Sequence, residues 1–152
     1  MTEAFRAAEH ADIETLLQFM REYYEFDHLP FDSQAARAAL TGVLDDASLG
    51  RVWLICDGGE AIGYLVLTLG YSLEYGGRDA ILDEVYLRAS HRGRGIGRSA
   101  LTFAEGVCRS LGVRALHLEV ERTNTHAHGL YRKAGFVGHD RHLLTKRIMD
   151  NK

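Results

Sequence analysis

The chain has 152 residues, with 18 Lys+Arg against 21 Asp+Glu, a formal net charge of -3 and 46% hydrophobic residues. That length suits one domain with one core, here residues 1-152, and leaves little room for two. No basic excess suits a nucleic-acid backbone, no apolar run reaches transmembrane length, and Met1-Thr2-Glu3-Ala4-Phe5-Arg6 lacks the start of a secretory signal. A cytoplasmic protein with neither nucleic-acid nor membrane partners is expected. Cys56 and Cys108 are too few and too far apart for a disulfide framework or zinc knuckle.

In chain order, Glu3 to Ala7 is a short candidate strand. From Asp12, Ile13, Leu16, Leu17, Met20 and Tyr24 recur at helical spacing and predict a first helix with that stripe buried. Pro30 interrupts. Asp32 or Ser33 can then cap a second helix whose inward face is Ala36, Leu40, Val43 and Leu44. Arg51 to Cys56 and Ala61 to Leu69, separated by Asp57-Gly58-Gly59-Glu60, predict a β-hairpin. Gly70 to Arg78 reads as a loop or irregular edge. After the central segment discussed next, Arg114 to Glu121 alternates as a strand, and Thr123, Asn124 or Thr125 can cap a helix carrying Ala127, Leu130, Tyr131 and Ala134 before Gly135. Phe136-Val137 and His142 to Ile148 are candidate last strands, and Asp150-Asn151-Lys152 a loose tail. The sum is an α/β (α+β) fold with a mixed, mostly antiparallel sheet of six or seven strands, a central parallel pair and about four helices.

The most informative stretch is the strand Ile81 to Leu87, the turn His91-Arg92-Gly93-Arg94-Gly95-Ile96-Gly97, and a helix from Arg98 to Leu111. Amides in the first turn of a helix lack intrahelical partners, and glycines let a ligand approach the backbone. With Arg92, Arg94 and Arg98 alongside, the natural guest is a phosphate or diphosphate. A Walker loop would need Gly-Lys-Ser/Thr, and a dinucleotide fingerprint starting at Gly93 would need a glycine where Arg98 stands. The plainer reading is a tight strand-to-helix turn.

Arg92-x-x-Gly95-x-Gly97 after Val85-Tyr86-Leu87 resembles the acyl-coenzyme A loop of the GCN5-related N-acetyltransferase (GNAT) family. Asn124, followed by Leu130-Tyr131-x-x-x-Gly135-Phe136, is similar to that family's second hallmark. The resemblance implies acetyl-CoA as cofactor, its diphosphate on the amides of Arg92, Gly93, Arg94, Gly95, Ile96 and Gly97, with Arg98 beside them. It implies the pantetheine arm along the backbone of Val85, Tyr86 and Leu87, where the strand splays from Leu116 to Val120. It also implies that Asn124 contacts the cofactor, that Tyr131 lies near the thioester sulfur, that acetyl passes directly to an amine, and that the enzyme is a homodimer. A non-catalytic acyl-CoA sensor, or an enzyme acting on a protein amine, is the alternative.

The reaction requires a deprotonated amine, so a carboxylate or a water path must take its proton. Alternation puts Glu84 on the side of Tyr86 and Asp83 with Ile81, Val85 and Leu87, which favours Glu84; a simple salt-bridge partner is the competing role. Tyr131 can protonate the leaving thiolate or be a core residue beside Leu130. The acids and aromatics of the early helices and the later loop, with Tyr24, Glu25, Asp27, Tyr71, Glu74 and Glu84 as candidate acceptor-binding residues, suit a small amine with an extra positive charge. His126 with His128, and His139 with His142, lack the spacing or third ligand of a metal site, so no metal is expected.

Overall fold

The computed structural model describes residues 4–149, so Glu3 and the tail at 150–152 lie outside the described residues. Two compact units divide the chain, Met1–Glu119 and Val120–Lys152.

The first unit is built on strands β1 (Phe5–Ala7), β2 (Gly50–Asp57), β3 (Glu60–Ser72), β4 (Gly77–Leu87) and β5 (Ala115–His117), ordered β1-β2-β3-β4-β5 in one sheet. Every neighbouring pair is antiparallel except β4 and β5. Helix α1 (Ile13–Phe26) and helix α2 (Ser33–Asp45) cover one face, and helix α3 (Ile96–Ser110) covers the other. Of the expected stripe of α1, Ile13, Leu16, Leu17 and Met20 are buried and Tyr24 is half-buried, with Phe19 added to the buried set. Asp32 caps α2, its Oδ1 accepting from the amides of Gln34 at 3.0 Å and Ala35 at 3.1 Å, which satisfies donors that a helix start otherwise orphans.

Strand alternation sorts the core into two layers. Val52, Leu54, Tyr64 and Tyr86 pack under α1 and α2. Trp53 faces the other way, edge-on to Phe103 of α3 at 5.1 Å, and Phe103 stacks on Phe5 at 4.5 Å. At Gly63 a Cβ would lie 2.1 Å from the Tyr86 carbonyl oxygen, so no side chain fits there without shifting the neighbouring strand.

Three sequence expectations are corrected. Gly70 to Arg78 is largely strand: β3 runs to Ser72, β4 begins at Gly77, and the ladder pairs Gly70 with Asp79 and Tyr71 with Arg78. Beyond them, β5 is three residues long rather than Arg114 to Glu121, because its ladder with β4 ends at Ile81–His117. Phe136-Val137 and His142 to Ile148 form no strand among the described residues, so the sheet has five strands rather than six or seven. Val137, Leu143, Leu144 and Ile148 are all exposed, and without a buried face nothing fixes a strand register there.

In the second unit, helix α4 (Thr125–Lys133) is capped by Asn124, whose Oδ1 accepts from the Ala127 amide at 3.1 Å. Its C-terminal end closes through Gly135 at φ +97 and a bond from the Phe136 amide to the Tyr131 carbonyl at 3.0 Å, the left-handed ending that glycine favours. Among the described residues no helix is long and apolar enough to cross a membrane, and no cluster of acids, histidines and cysteines could hold a metal ion.

Candidate active site

A β-bulge in β4 creates the site's central feature. The ladder pairs Val66 with Glu84 and then Leu67 with Leu82, so Asp83 is the extra residue. Thr68, two residues beyond Val66, pairs with Ile81, so Ile81 falls on the Glu84 side of the sheet and not with Asp83 and Val85 as strict alternation implies. Asp83 keeps exposed surface and is still near enough for its charge to act on Glu84. Loss of hydration raises its pKa.

Glu84 lies between two tyrosines. The Tyr64 hydroxyl donates to Oε1 at 2.7 Å and the Tyr24 hydroxyl donates to Oε2 in a short hydrogen bond. Loss of hydration raises the Glu84 pKa, the two tyrosine bonds oppose that rise, and the charge of Asp83 adds to it. The same burial, with Glu84 as acceptor, raises the pKa of Tyr24 and of Tyr64, so both remain donors at neutral pH. Tyr23, edge-on to Tyr24 at 5.6 Å, is pushed up to about 12 by burial and by the charges of Asp27, Glu84 and Asp83. The result is a carboxylate of enhanced basicity, its two oxygens oriented by hydroxyls and each with acceptor capacity left.

Of the expected acceptor residues, the structure joins Tyr24 directly to Glu84, and Asp27 acts on the neighbouring Tyr23. Glu25 is exposed on the last turn of α1. Tyr71 and Glu74 belong to the far end of the β3–β4 hairpin, about 16 Å along the strand from the Val66–Glu84 pair at the usual rise per residue. Sequence reasoning missed Tyr64. It stands two residues from Val66 and so diagonally opposite Glu84, a relation visible only once the hairpin register is known.

Beside Glu84, a second set of contacts ties α1 to β4. Glu22 accepts from the Tyr86 hydroxyl at 2.9 Å and from Arg88 Nε at 3.2 Å and NH2 at 3.0 Å. The Arg88 bonds hold the Glu22 carboxyl below its usual range, and the Arg88 guanidinium covers the Phe19 ring at 4.7 Å. Glu22 and Arg88 therefore partly neutralise each other.

The glycine-rich turn follows a short 3-10 turn, Ala89–His91. Gly93 at φ +78 and Gly95 at φ +79 take the left-handed conformation, and Gly95 is the N-cap of α3 with no side chain satisfying the helix amides. The first bond into the helix runs from the Ser99 amide to the Gly95 carbonyl at 3.1 Å, leaving the amides of Ile96, Gly97 and Arg98 directed out of the helix start. Arg94 and Arg98 are exposed, and among the described residues neither forms an ion pair. Arg92 differs. Its amide bonds the Ala89 carbonyl at 3.3 Å, its Nε donates to the Leu87 carbonyl at 2.8 Å, and its guanidinium lies 4.9 Å from the Phe26 centroid and 5.7 Å from that of Tyr86.

The edge of β4 prepares a second set of backbone groups. The Arg88 amide bonds Ile62 of β3, so by antiparallel alternation Tyr86 and Glu84 also direct their backbone groups at β3, while Val85 and Leu87 direct theirs away. On that away side the β5 ladder has already ended at Ile81. Val85 with its amide and carbonyl, and Leu87 with its amide, thus offer backbone partners to an extended ligand; the Leu87 carbonyl already accepts from Arg92, and the Tyr86 backbone is committed to the sheet.

In the second unit, the Asn124 side-chain oxygen is engaged as a helix cap. Tyr131 meets Phe136 edge-on at 5.9 Å, and burial raises its pKa, so it holds its proton at neutral pH.

These features have counterparts among known proteins. Residues 13–136 match the model of the acetyltransferase (GNAT) family. The chain is 29% identical over 132 residues to an uncharacterised N-acetyltransferase, YhfO, of Bacillus subtilis, covering 86% of this chain and 87% of that one. It is 28% identical over 140 residues to the thialysine N-epsilon-acetyltransferase of Bos taurus, covering 86% and 81%. An integron cassette protein, HFX_CASS3, from the mobile metagenome of Cole Harbour Salt Marsh superimposes with a TM-score of 0.86 at 37% identity, over 97% of this chain and 91% of that one. Matched over most of its length in sequence and in fold, the chain belongs to the acetyltransferase (GNAT) family and is an acetyltransferase of that type.

Proposed function

We propose that this acetyltransferase moves acetyl from acetyl-CoA directly to a primary amine of a small polyamine-like or amino-acid-like compound. The observation that carries the reading is the Glu84 carboxylate, made more basic by burial and held by the hydroxyls of Tyr24 and Tyr64. The turn from Gly93 to Gly97 and the amides opening α3 receive the diphosphate, with Arg94 and Arg98 supplying positive charge. Val85 and Leu87 receive the pantetheine through their outward backbone groups.

An ammonium entering beside Glu84 meets the charges of Asp83 and Asp27 and the ring of Tyr23, which favours a substrate with more than one positive charge. Glu84 takes the proton from the ammonium, the free amine attacks the thioester carbonyl, and the C–S bond breaks; the proton then shed by the nitrogen balances the one that the departing thiolate takes up, so the products are the amide and the free CoA thiol, with Glu84 protonated. The acceptor of the bovine relative, an amino acid bearing a side-chain amine by its name, supports the amino-acid-like branch. Coupled thiol release from acetyl-CoA, measured with thialysine, lysine, spermidine and neutral monoamines, tests this reading. Turnover is expected with the charged amines; turnover confined to neutral monoamines or to peptide N-termini would remove the basis for the acidic pocket.

Tyr131 is proposed as the donor that protonates the departing thiolate, supported by its match to the family's second hallmark and by its retained proton. Tyr131→Phe is expected to lower kcat by about 10²-fold while CoA affinity stays within about twofold. An unchanged kcat would exclude the role.

A further inference from the structure

We propose that Asp57 and His91 are positioning residues for the diphosphate-binding turn, setting cofactor affinity without touching the cofactor. The inference rests on the acetyl-CoA reading above. His91 is the last residue before that turn, and its ring is held at both nitrogens: Nε2 lies 3.2 Å from Asp57 Oδ2, and Nδ1 lies 2.8 Å from Ser90 Oγ. The imidazole is only 16% exposed, against 55% for the Asp57 side chain. A neutral ring satisfies both contacts when the Ser90 hydroxyl donates to Nδ1 and Nε2–H donates to Asp57.

Asp57 belongs to a rigid element. It closes β2 in register with Glu60, across a two-residue turn of Gly58 at φ +59 and Gly59 at φ +90, the dihedral signs of the tight hairpin turn that matches strand twist. His91 therefore fastens the start of a glycine-rich, conformationally permissive segment to the end of a sheet hairpin. The next residue, Arg92, is fastened to a different element through the Leu87 carbonyl and the Phe26 and Tyr86 rings. From Gly93 to Arg98 no side chain forms such a tie among the described residues. Two consecutive tethers at the entrance leave the following amides to the ligand. A loop that must be ordered on binding loses affinity by the entropy of ordering, and a tether removes part of that cost beforehand.

This assigns a function to Asp57, far in sequence from either family hallmark, and it separates the two arginine roles: Arg92 holds the turn, while Arg94 and Arg98 provide its charge.

Calorimetric titration of CoA into the full chain tests the proposal. Asp57→Ala is expected to raise Kd about three- to fivefold, the size that loss of one hydrogen bond gives. The KM for acetyl-CoA should rise by the same factor with kcat at saturation unchanged. Asp57→Asn, which still accepts from Nε2–H, should stay within about twofold of the wild-type protein, and His91→Asn should weaken binding at least as much as Asp57→Ala. Desphospho analogues lacking only the 3′-phosphate should show the same ratio, because the diphosphate remains. Equal Kd values for wild type and Asp57→Ala, or a fall in kcat at saturation, would overturn the positioning role. A wild-type protein that does not bind CoA would instead overturn the acetyl-CoA reading itself.

Discussion

Replacing Glu84 with Gln is expected to lower kcat by about 10²-fold or more near neutral pH, the usual contribution of a positioned general base. The amide keeps an oxygen for one tyrosine hydroxyl but cannot take a proton, so the amine must reach the thioester already neutral. The loss should therefore be greatest between the Glu84 pKa and the amine pKa, and should narrow above the amine pKa, where free amine forms unaided. Because loss of hydration raises the Glu84 pKa against the pull of the two tyrosine bonds, the acid limb of the wild-type rate should fall at a pH above the ordinary glutamate range.

Folding stability carries the opposite sign. A carboxyl whose folded-state pKa is raised binds its proton more tightly when folded, so its charge costs stability above that pKa and the cost is relieved as pH falls through it. Glu84→Gln should thus retain its Tm near neutral pH, which separates lost chemistry from lost fold in a thermal melt. An unchanged pH–rate profile would assign the proton to a water path that bypasses Glu84.

The second large effect concerns the cofactor turn. Gly95 caps α3 at φ +79 with open space where a Cβ would be. Valine there meets no protein atom in that space. It faces the backbone strain that a β-branched residue suffers in the left-handed region, of order 1–3 kcal/mol, and it fills part of the surface that the diphosphate must approach. CoA affinity is expected to fall by at least about tenfold, from strain-driven movement of the amides together with lost approach. Titration calorimetry would register it, while circular dichroism should show the α/β fold retained. Equal affinity would mean that these amides do not hold the diphosphate.

What the sequence disclosed follows from how local each signal is. The glycine-rich turn, the stripe of α1 and the Asp32 cap depend on neighbours within a few residues; the cap forms where expected, the stripe is buried at Ile13, Leu16, Leu17 and Met20, and the turn is shorter than expected because α3 begins at Ile96 rather than Arg98. The hairpin reach of β3 and β4 was obscured because Gly70, Gly76 and Gly77 resemble loop residues; Gly70 is instead opposite Asp79, where a Cβ would be 2.8 Å from Oδ1. The bulge at Asp83 has no local sign. It decides which face Ile81 joins and brings Glu84 within reach of Tyr64, and both depend on a register set by pairing with a strand some twenty residues away.

The Arg92 assignment illustrates the same limit. As one of several arginines at a helix start it reads as a phosphate ligand, but its side chain is engaged by Leu87, Tyr86 and Phe26, residues that only the fold brings together. At the chain's C-terminal end, Val137, Leu143, Leu144 and Ile148 have the composition of strands without the burial that makes one. Tyr131 shows the converse: a helix forms over it as expected, with Ala127, Leu130 and Tyr131 half-buried, whereas the proton-donor role proposed for it is a matter of chemistry that spacing does not encode.

The central claim is that a poorly hydrated carboxylate gripped by two tyrosine hydroxyls is the enzyme's base. Its most direct test is a pH titration of side-chain carboxyl carbon signals by NMR in isotopically labelled protein, with Glu84 assigned by its disappearance in Glu84→Gln. The account predicts a midpoint above the ordinary glutamate value, moving further upward in Tyr64→Phe as one stabilising bond is removed. A midpoint at or below the ordinary value, indifferent to Tyr64, would contradict it.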